Sequence, residues 1–336
     1  MLKLLLLFFG LLGLAGIVWH IGLASILTTA SQLGPVALGV IFLPMVLVYA
    51  LEALGWKLTL GKYAQQVGFG RLFAIRMAGE AVNVTTPAAY IGGEPLKAYL
   101  LRRYGVPIVE GLASVVTAKT AMTIAQVMFI LVGVLLAFWL IGTSEDYLLA
   151  AIFSIGLLGF GLVLFVSVQR YGLAMGFLRL LELCRIRLKF LEKRRPQLME
   201  LDQTIRQFYT SHRRTFYFSL GTFFIAWLTE TLEVYAILYY LGADVDVLSS
   251  ISIAALTILI KGGTFFIPGS LGAQEGGYVL LLLSYGYTDV TGITFALVRR
   301  LREILWILVG LLCLLFLKGR DTVVNESLSA GSKGIP

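Results

Sequence analysis

The chain has 336 residues, 58% of them hydrophobic and only 14% charged, with a formal net charge of +8. Soluble domains carry about 25% charged residues, so this composition excludes an ordinary water-soluble fold. Two cysteines (Cys184, Cys313) and two distant histidines (His20, His212) give no support to a disulfide framework, a metal centre or redox chemistry, and no cofactor is expected.

In chain order, six stretches run for about twenty residues or more almost without charge, the length that a ~30 Å hydrocarbon core demands of a helix. They are residues 4–22, 36–56, 112–141, 147–168, 215–241 and 291–317. The first, behind Met1-Leu2-Lys3, is longer than a usual signal-peptide core and is followed by no small-residue cleavage site, so it is read as an uncleaved helix. Residues 23–34 are read as an uncharged external linker.

Eleven Lys and Arg residues lie between Arg170 and Arg214, whereas the linkers 142–146 and 242–246 carry only acids. The positive-inside rule therefore assigns the basic loop 170–214, the segment from Lys318 to Arg320 and both termini to the cytoplasm. Clustered between spans, the basic charge points to anionic lipid rather than nucleic acid. Within that loop Leu198, Leu201, Ile205 and Phe208 fall on one helical face, which predicts a juxtamembrane helix lying along the membrane surface.

Two regions, 71–110 and 247–285, are apolar but broken by glycine, proline and charge. Irregular backbone at membrane depth is tolerated only inside protein or beside a water-filled cavity, so both are read as re-entrant hairpins. Glu52 and Glu233, Pro87 and Pro268, Glu94 and Glu275, and Lys119 and Arg300 are each 181 positions apart. The expected fold is thus all-α and polytopic, about six full transmembrane helices plus two re-entrant hairpins in an inverted repeat. One transmembrane domain covers 1–320, with repeat one at about 1–141, repeat two at about 147–317, and a short polar tail at 321–336.

The candidate site residues come from the broken segments and the charges at membrane depth. Pro87, Gly92, Gly93, Glu94 and Lys97 lie in the first hairpin, and Lys261, Pro268, Gly269, Gly272 and Glu275 in the second. Glu52, Lys119, Glu233, Arg299 and Arg300 sit in the flanking helices, and the run Arg299-Arg300-Leu301-Arg302-Glu303 must lie within the last helix because too few apolar residues follow it to span alone. A charge on a lipid-facing helix centre costs about 2.5–3.5 kcal/mol, so these groups pair internally or line a hydrated cavity. No metal ligands and no catalytic set are expected. Ser270 has no histidine in either hairpin, and no nucleotide-binding motif is present.

The segments P-x-x-x-x-G-G-E-x-x-K (from Pro87) and F-I-P-G-S-L-G-x-x-E (from Phe266) resemble the signatures of the flippase-like membrane family named for the transmembrane part of lysylphosphatidylglycerol synthase, which includes hopanoid-biosynthesis-associated proteins. The resemblance covers roughly residues 33–317 and implies a polytopic helical fold and movement of lipids between leaflets. It makes the proline, glycines and glutamate of each segment, with Lys97, the family motifs, and Arg299 or Arg300 the basic position of the last helix. After Arg320 only a short polar stretch follows, so the chain is not expected to aminoacylate a lipid itself.

The leading expectation is a non-enzymatic translocase of a polar-headed lipid (phospholipid, hopanoid or polyprenyl lipid) in a bacterial-type inner membrane. Arg299, Arg300 and Lys97 would hold an anionic phosphate, and Glu94 and Glu275 would receive an amine or couple to protons. Two alternatives stand beside it: a non-transporting partner or enzyme of lipid, hopanoid or glycolipid biosynthesis, and a transporter of a small soluble cation.

Overall fold

A computed structural model describes residues 22–85, 92–142, 195–264, 270 and 272–317, with scattered positions in 1–21 and 151–194. The expected spans 4–22 and 147–168, Pro87, Pro268, Gly269, most of the basic loop before Arg195 and the tail lie outside the described residues.

The regular structure among the described residues is helical, with one 3-10 turn (Gly61–Tyr63) and nine α-helices: α1 (Leu23–Thr59), α2 (Phe69–Thr85), α3 (Gly93–Arg102), α4 (Ile108–Ile141), α5 (Arg195–Ser211), α6 (Arg213–Tyr240), α7 (Val247–Gly263), α8 (Ala273–Ser284) and α9 (Asp289–Phe316). By length and composition Ser31–Thr59, Ile108–Ile141 and Arg213–Tyr240 are able to cross a membrane. Helix α9, with 28 residues, is about 42 Å long but carries its arginine run in the middle.

The expected linker 23–34 is a correction. It is helical, because leucine, isoleucine and alanine dominate it, and the chain only kinks at Gly34, whose φ of 75° is followed by Pro35. A second correction concerns α5. Its apolar face does not lie free on the membrane surface: Leu201 and Ile205 are buried against Ala113 and its neighbours at the start of α4. The arginine run does lie inside α9, as its position predicted.

The repeat is visible in the element order. Helix α4 begins at Ile108 and α9 at Asp289, again 181 positions apart, and α1, α2 and α3 correspond to α6, α7 and α8. Each hairpin arm pair, α2 with α3 and α7 with α8, is in contact, α1 packs along α6, α2 packs on α9, and α7 packs on α4.

Two apolar cores reveal the relative direction of the repeats. One surrounds the first hairpin and takes Trp56 from the end of α1, Phe223 from the start of α6, Val115 from the start of α4 and Leu314 from the end of α9. The other surrounds the second hairpin and takes Ile41 from the middle of α1, Val234 and Phe129 from the second halves of α6 and α4, and Phe295 from the start of α9. Corresponding helices therefore run antiparallel, the geometry of an inverted repeat.

Glycines seat the hairpins across the repeats. A Cβ on Gly310 of α9 would stand 2.4 Å from the Met77 carbonyl oxygen of α2, and one on Gly133 of α4 would stand 2.2 Å from Ala255 Cβ of α7. Helices this close pack backbone to backbone, as small residues allow in a bilayer.

The exposed start of α7 is capped by Asp246, whose carboxylate accepts from Ser249 N at 2.9 Å. The Ser249 hydroxyl and amide hold this carboxyl below the ordinary aspartate pKa of 3.8. A depressed pKa stabilises the charged form in the fold, so the contribution is complete above the ordinary value and drains as pH falls through the lower one. Asp246→Ala is expected to cost about 1 kcal/mol at neutral pH, and the difference from the parent chain in detergent melting should vanish in acid.

Candidate functional site

Between the two apolar cores lies a layer of charge. Glu52 of α1 pairs with Arg76 of α2, and the Arg76 guanidinium also sits 5.0 Å from the Tyr49 ring centre. Arg299 of α9 binds Glu230 of α6, and its other terminal nitrogen donates to Thr257 Oγ1 at 2.5 Å. Arg302 donates to Glu233 at 3.0 Å. Glu233 and Arg299 are 0% and 2% exposed, so these are wholly buried ion pairs.

Toward the hairpin tips two further ion pairs occupy equivalent places in the two repeats. Lys119 Nζ stands 4.0 Å from Glu94, and Arg300 Nε donates to Glu275 at 2.7 Å. Both glutamates lie in the first turn of the second hairpin arm, where the positive end of the helix dipole favours a carboxylate. Lys97 reaches back to both oxygens of Glu94 at 3.1 Å, and Arg300 and Lys261 each donate to Glu303 at 2.6 Å.

The glycines of the two motifs have different tasks. Gly93 lies under α2: its amide donates to Asn83 Oδ1 at 2.7 Å, and a Cβ there would stand 2.0 Å from the Gly79 carbonyl oxygen. Gly272 has φ 77°, and its amide donates to Glu275 at 2.8 Å, so it turns the chain into α8. Gly92 has ordinary right-handed helical angles.

A cavity of about 270 Å³ opens in the centre of the layer, bordered by Glu52, Arg76, Glu80, Lys261, Arg299 and Arg302, with Tyr49, Tyr278, Trp227 and Trp306 among its apolar walls. A smaller one of about 30 Å³ shares Glu52, Arg76 and Glu80 with it and continues to Glu94, Lys97 and Lys119. Across the layer the bases Arg76, Lys97, Lys119, Lys261, Arg299, Arg300 and Arg302 match in number the acids Glu52, Glu80, Glu94, Glu230, Glu233, Glu275 and Glu303.

Of the sequence candidates, Glu52, Glu94, Lys97, Lys119, Glu233, Lys261, Glu275, Arg299 and Arg300 all meet in this layer. The bases expected to await a phosphate, Arg299, Arg300 and Lys97, are each engaged by carboxylates. Arg76 and Glu80 were not among the candidates, and the signal that would have found them is their i, i+4 spacing, which sets both on one face of α2. Among the described residues no group of histidines, cysteines and acids is arranged to hold a metal ion.

The family described as Lysylphosphatidylglycerol synthase TM region matches residues 1–312. The chain belongs to this family. Two curated relatives, both described as UPF0104 membrane protein and both from Methanothermobacter thermautotrophicus (strain ATCC 29096 / DSM 1053 / JCM 10044 / NBRC 100330 / Delta H), are similar over most of their length. One is 28% identical over 84% of this chain and 84% of its own, the other 26% identical over 76% of each. No solved structure matches. The chain is thus an integral membrane protein of this family with several apolar helices, and a role tied to membrane lipids is in keeping with the family's description.

Proposed function

We propose that this chain moves a polar-headed lipid between the two leaflets of a cytoplasmic membrane, without making or breaking covalent bonds. The observation that carries this reading is the charge-lined cavity between two hairpins of an inverted repeat. A head group crossing a bilayer needs polar partners at each depth, and the two cavities offer them in sequence from Lys261 through Glu80 to Glu94. The equivalent pairs Glu94–Lys119 and Glu275–Arg300 stand at the two hairpins as gates, in keeping with alternating access.

The test is translocation of acyl-labelled lipids in proteoliposomes, comparing the parent chain with Glu94→Gln, Glu275→Gln. Movement by the parent and a loss of about tenfold or more in the variant is expected, since each gate would lose a charge partner. The mutual engagement of every arginine in the layer favours a second reading, a non-transporting partner in lipid biosynthesis held rigid by its ion pairs. Absence of movement by the parent across phospholipids, hopanoids and polyprenyl lipids would decide for that partner. Movement of a soluble cation alone would decide for the ion-transport reading.

A further inference from the structure

We infer that the groove between the start of α2 and the end of α9 binds a lipid with an anionic, amine-free head group, its phosphate on Arg71 and one acyl chain along α9. The groove lies away from the charge layer, and its occupancy does not depend on transport. It has a volume of about 480 Å³, with Arg71 and Tyr104 at the basic end of the molecule and Val309, Leu312, Cys313 and Phe316 along one wall. From Val309 to Phe316 that wall covers about 10 Å of helix.

In the other repeat the equivalent helices, α7 and α4, close the same place. Ser252 Oγ donates to the Gly133 carbonyl oxygen at 2.6 Å, a Cβ on Gly133 would stand 2.2 Å from Ala255 Cβ, and the Tyr285 hydroxyl donates to Ser252. At the offset of 181 these positions hold Arg71 for Ser252, Leu314 for Gly133 and Tyr104 for Tyr285. A leucine is too large for the backbone approach that glycine allows. Helix α9 therefore meets α2 one turn deeper, at Gly310, and the two helices part toward the basic end. Two changes at equivalent positions thus open a groove and set a cation beside it.

That cation is available. The Arg71 side chain is exposed, its guanidinium carbon lies 5.3 Å from the centre of the Tyr104 ring, and among the described residues the guanidinium makes no hydrogen bond or ion pair. Its donors remain for an oxyanion, and a planar guanidinium takes a phosphate in bidentate fashion. Among the described residues none that lines the groove is acidic, so an amine finds no partner there. The wider field favours the same class of lipid. Lys57, Arg102, Arg103 and Arg213 lie at this end, whereas Asp246 and Asp289 lie at the other. Arginine and tyrosine at head-group level, with apolar side chains below them, match the two ends of a lipid.

The test places the full chain in vesicles of phosphatidylcholine and phosphatidylglycerol, one or the other brominated on its acyl chains. The readout is quenching of a tryptophan introduced by Phe316→Trp, with the parent chain's own signal subtracted. Phosphatidylglycerol is expected to fill the groove about fivefold in preference to phosphatidylcholine, the ratio supplied by one arginine at an anionic lipid. Leu135→Trp, at the equivalent place in the other repeat, should show no such preference. Added singly to Phe316→Trp, Arg71→Gln should abolish the preference by removing the cation and Ala74→Phe by filling the groove, while Arg102→Gln should keep it. Arg71 is exposed, so Arg71→Gln tests the site even where filling the groove disturbs folding. Equal quenching by both lipids at Phe316→Trp overturns the inference. So does a preference that survives Arg71→Gln or is equally lost in Arg102→Gln, either of which marks general attraction to a basic surface. Brominated phosphatidylethanolamine should rank with phosphatidylcholine, and quenching as strong as that by phosphatidylglycerol overturns the restriction to amine-free head groups.

Discussion

Arg299→Ala is expected to destabilise the fold by about 3–5 kcal/mol, the range found when one member of a buried ion pair is removed. The Arg299 guanidinium is 2% exposed, faces Glu230 and Glu233 and donates to Thr257. Without it two buried carboxylates share Arg302 alone, which leaves one negative charge uncompensated. Thermal unfolding in detergent reads the loss directly. A second variant tests the cause: Arg299→Met with Glu230→Gln removes one charge of each sign and should recover a large part of the lost stability. If the double variant melts as low as Arg299→Ala, the arginine acts through its packing against the Tyr278 and Phe295 rings, whose centres lie 5.4 Å and 5.7 Å from it.

The second large effect is expected at Gly93. An alanine there brings its Cβ to 2.0 Å from the Gly79 carbonyl oxygen, with Asn83 Oδ1 at 2.8 Å. The obstacle is backbone in the middle of α2, which cannot swing aside as a flexible side chain would. Overpacking of this kind costs about 1–3 kcal/mol, and here it also pulls the Gly93 amide off Asn83. Asn83 in turn donates to Glu94 at 3.2 Å, so displacement of α3 moves the Glu94–Lys119 pair. Gly93→Ala should therefore lower both the melting temperature and lipid movement. Gly276→Ala, in the equivalent arm where a Cβ meets nothing within 4 Å, should melt at or slightly above the parent chain.

Much of this architecture was legible because charge and helix breakers are scarce in so apolar a chain. Each departure from the apolar background marked a hairpin or the charge layer, and the repeat offset linked Glu94 with Glu275 and Lys119 with Arg300 before any geometry was known. Those four became two equivalent ion pairs. The partners within the layer were harder to read. Arg76 corresponds to Thr257 in the other repeat and Glu80 to Lys261, so the comparison that exposed those ion pairs hid these two. Their importance depends on α2 lying beside α1 and α9, which is tertiary information. The fate of the α5 face was also out of reach, since an apolar stripe fits a bilayer surface and the flank of another helix equally well.

The glycine contacts at Gly310 and Gly133 have a consequence for how the molecule is assembled. The first hairpin finds its backbone seat on α9, which leaves the ribosome after every other described helix, while the seat for the second hairpin, on α4, is made early. The amino-terminal half must therefore enter the bilayer with α2 lacking its neighbour, and it closes only when residue 310 arrives. A chain stopped after Tyr240 should leave α2 open to protease, and the missing segment supplied as a separate polypeptide should close it. The two halves are partners in one post-translational fitting rather than independent folding units.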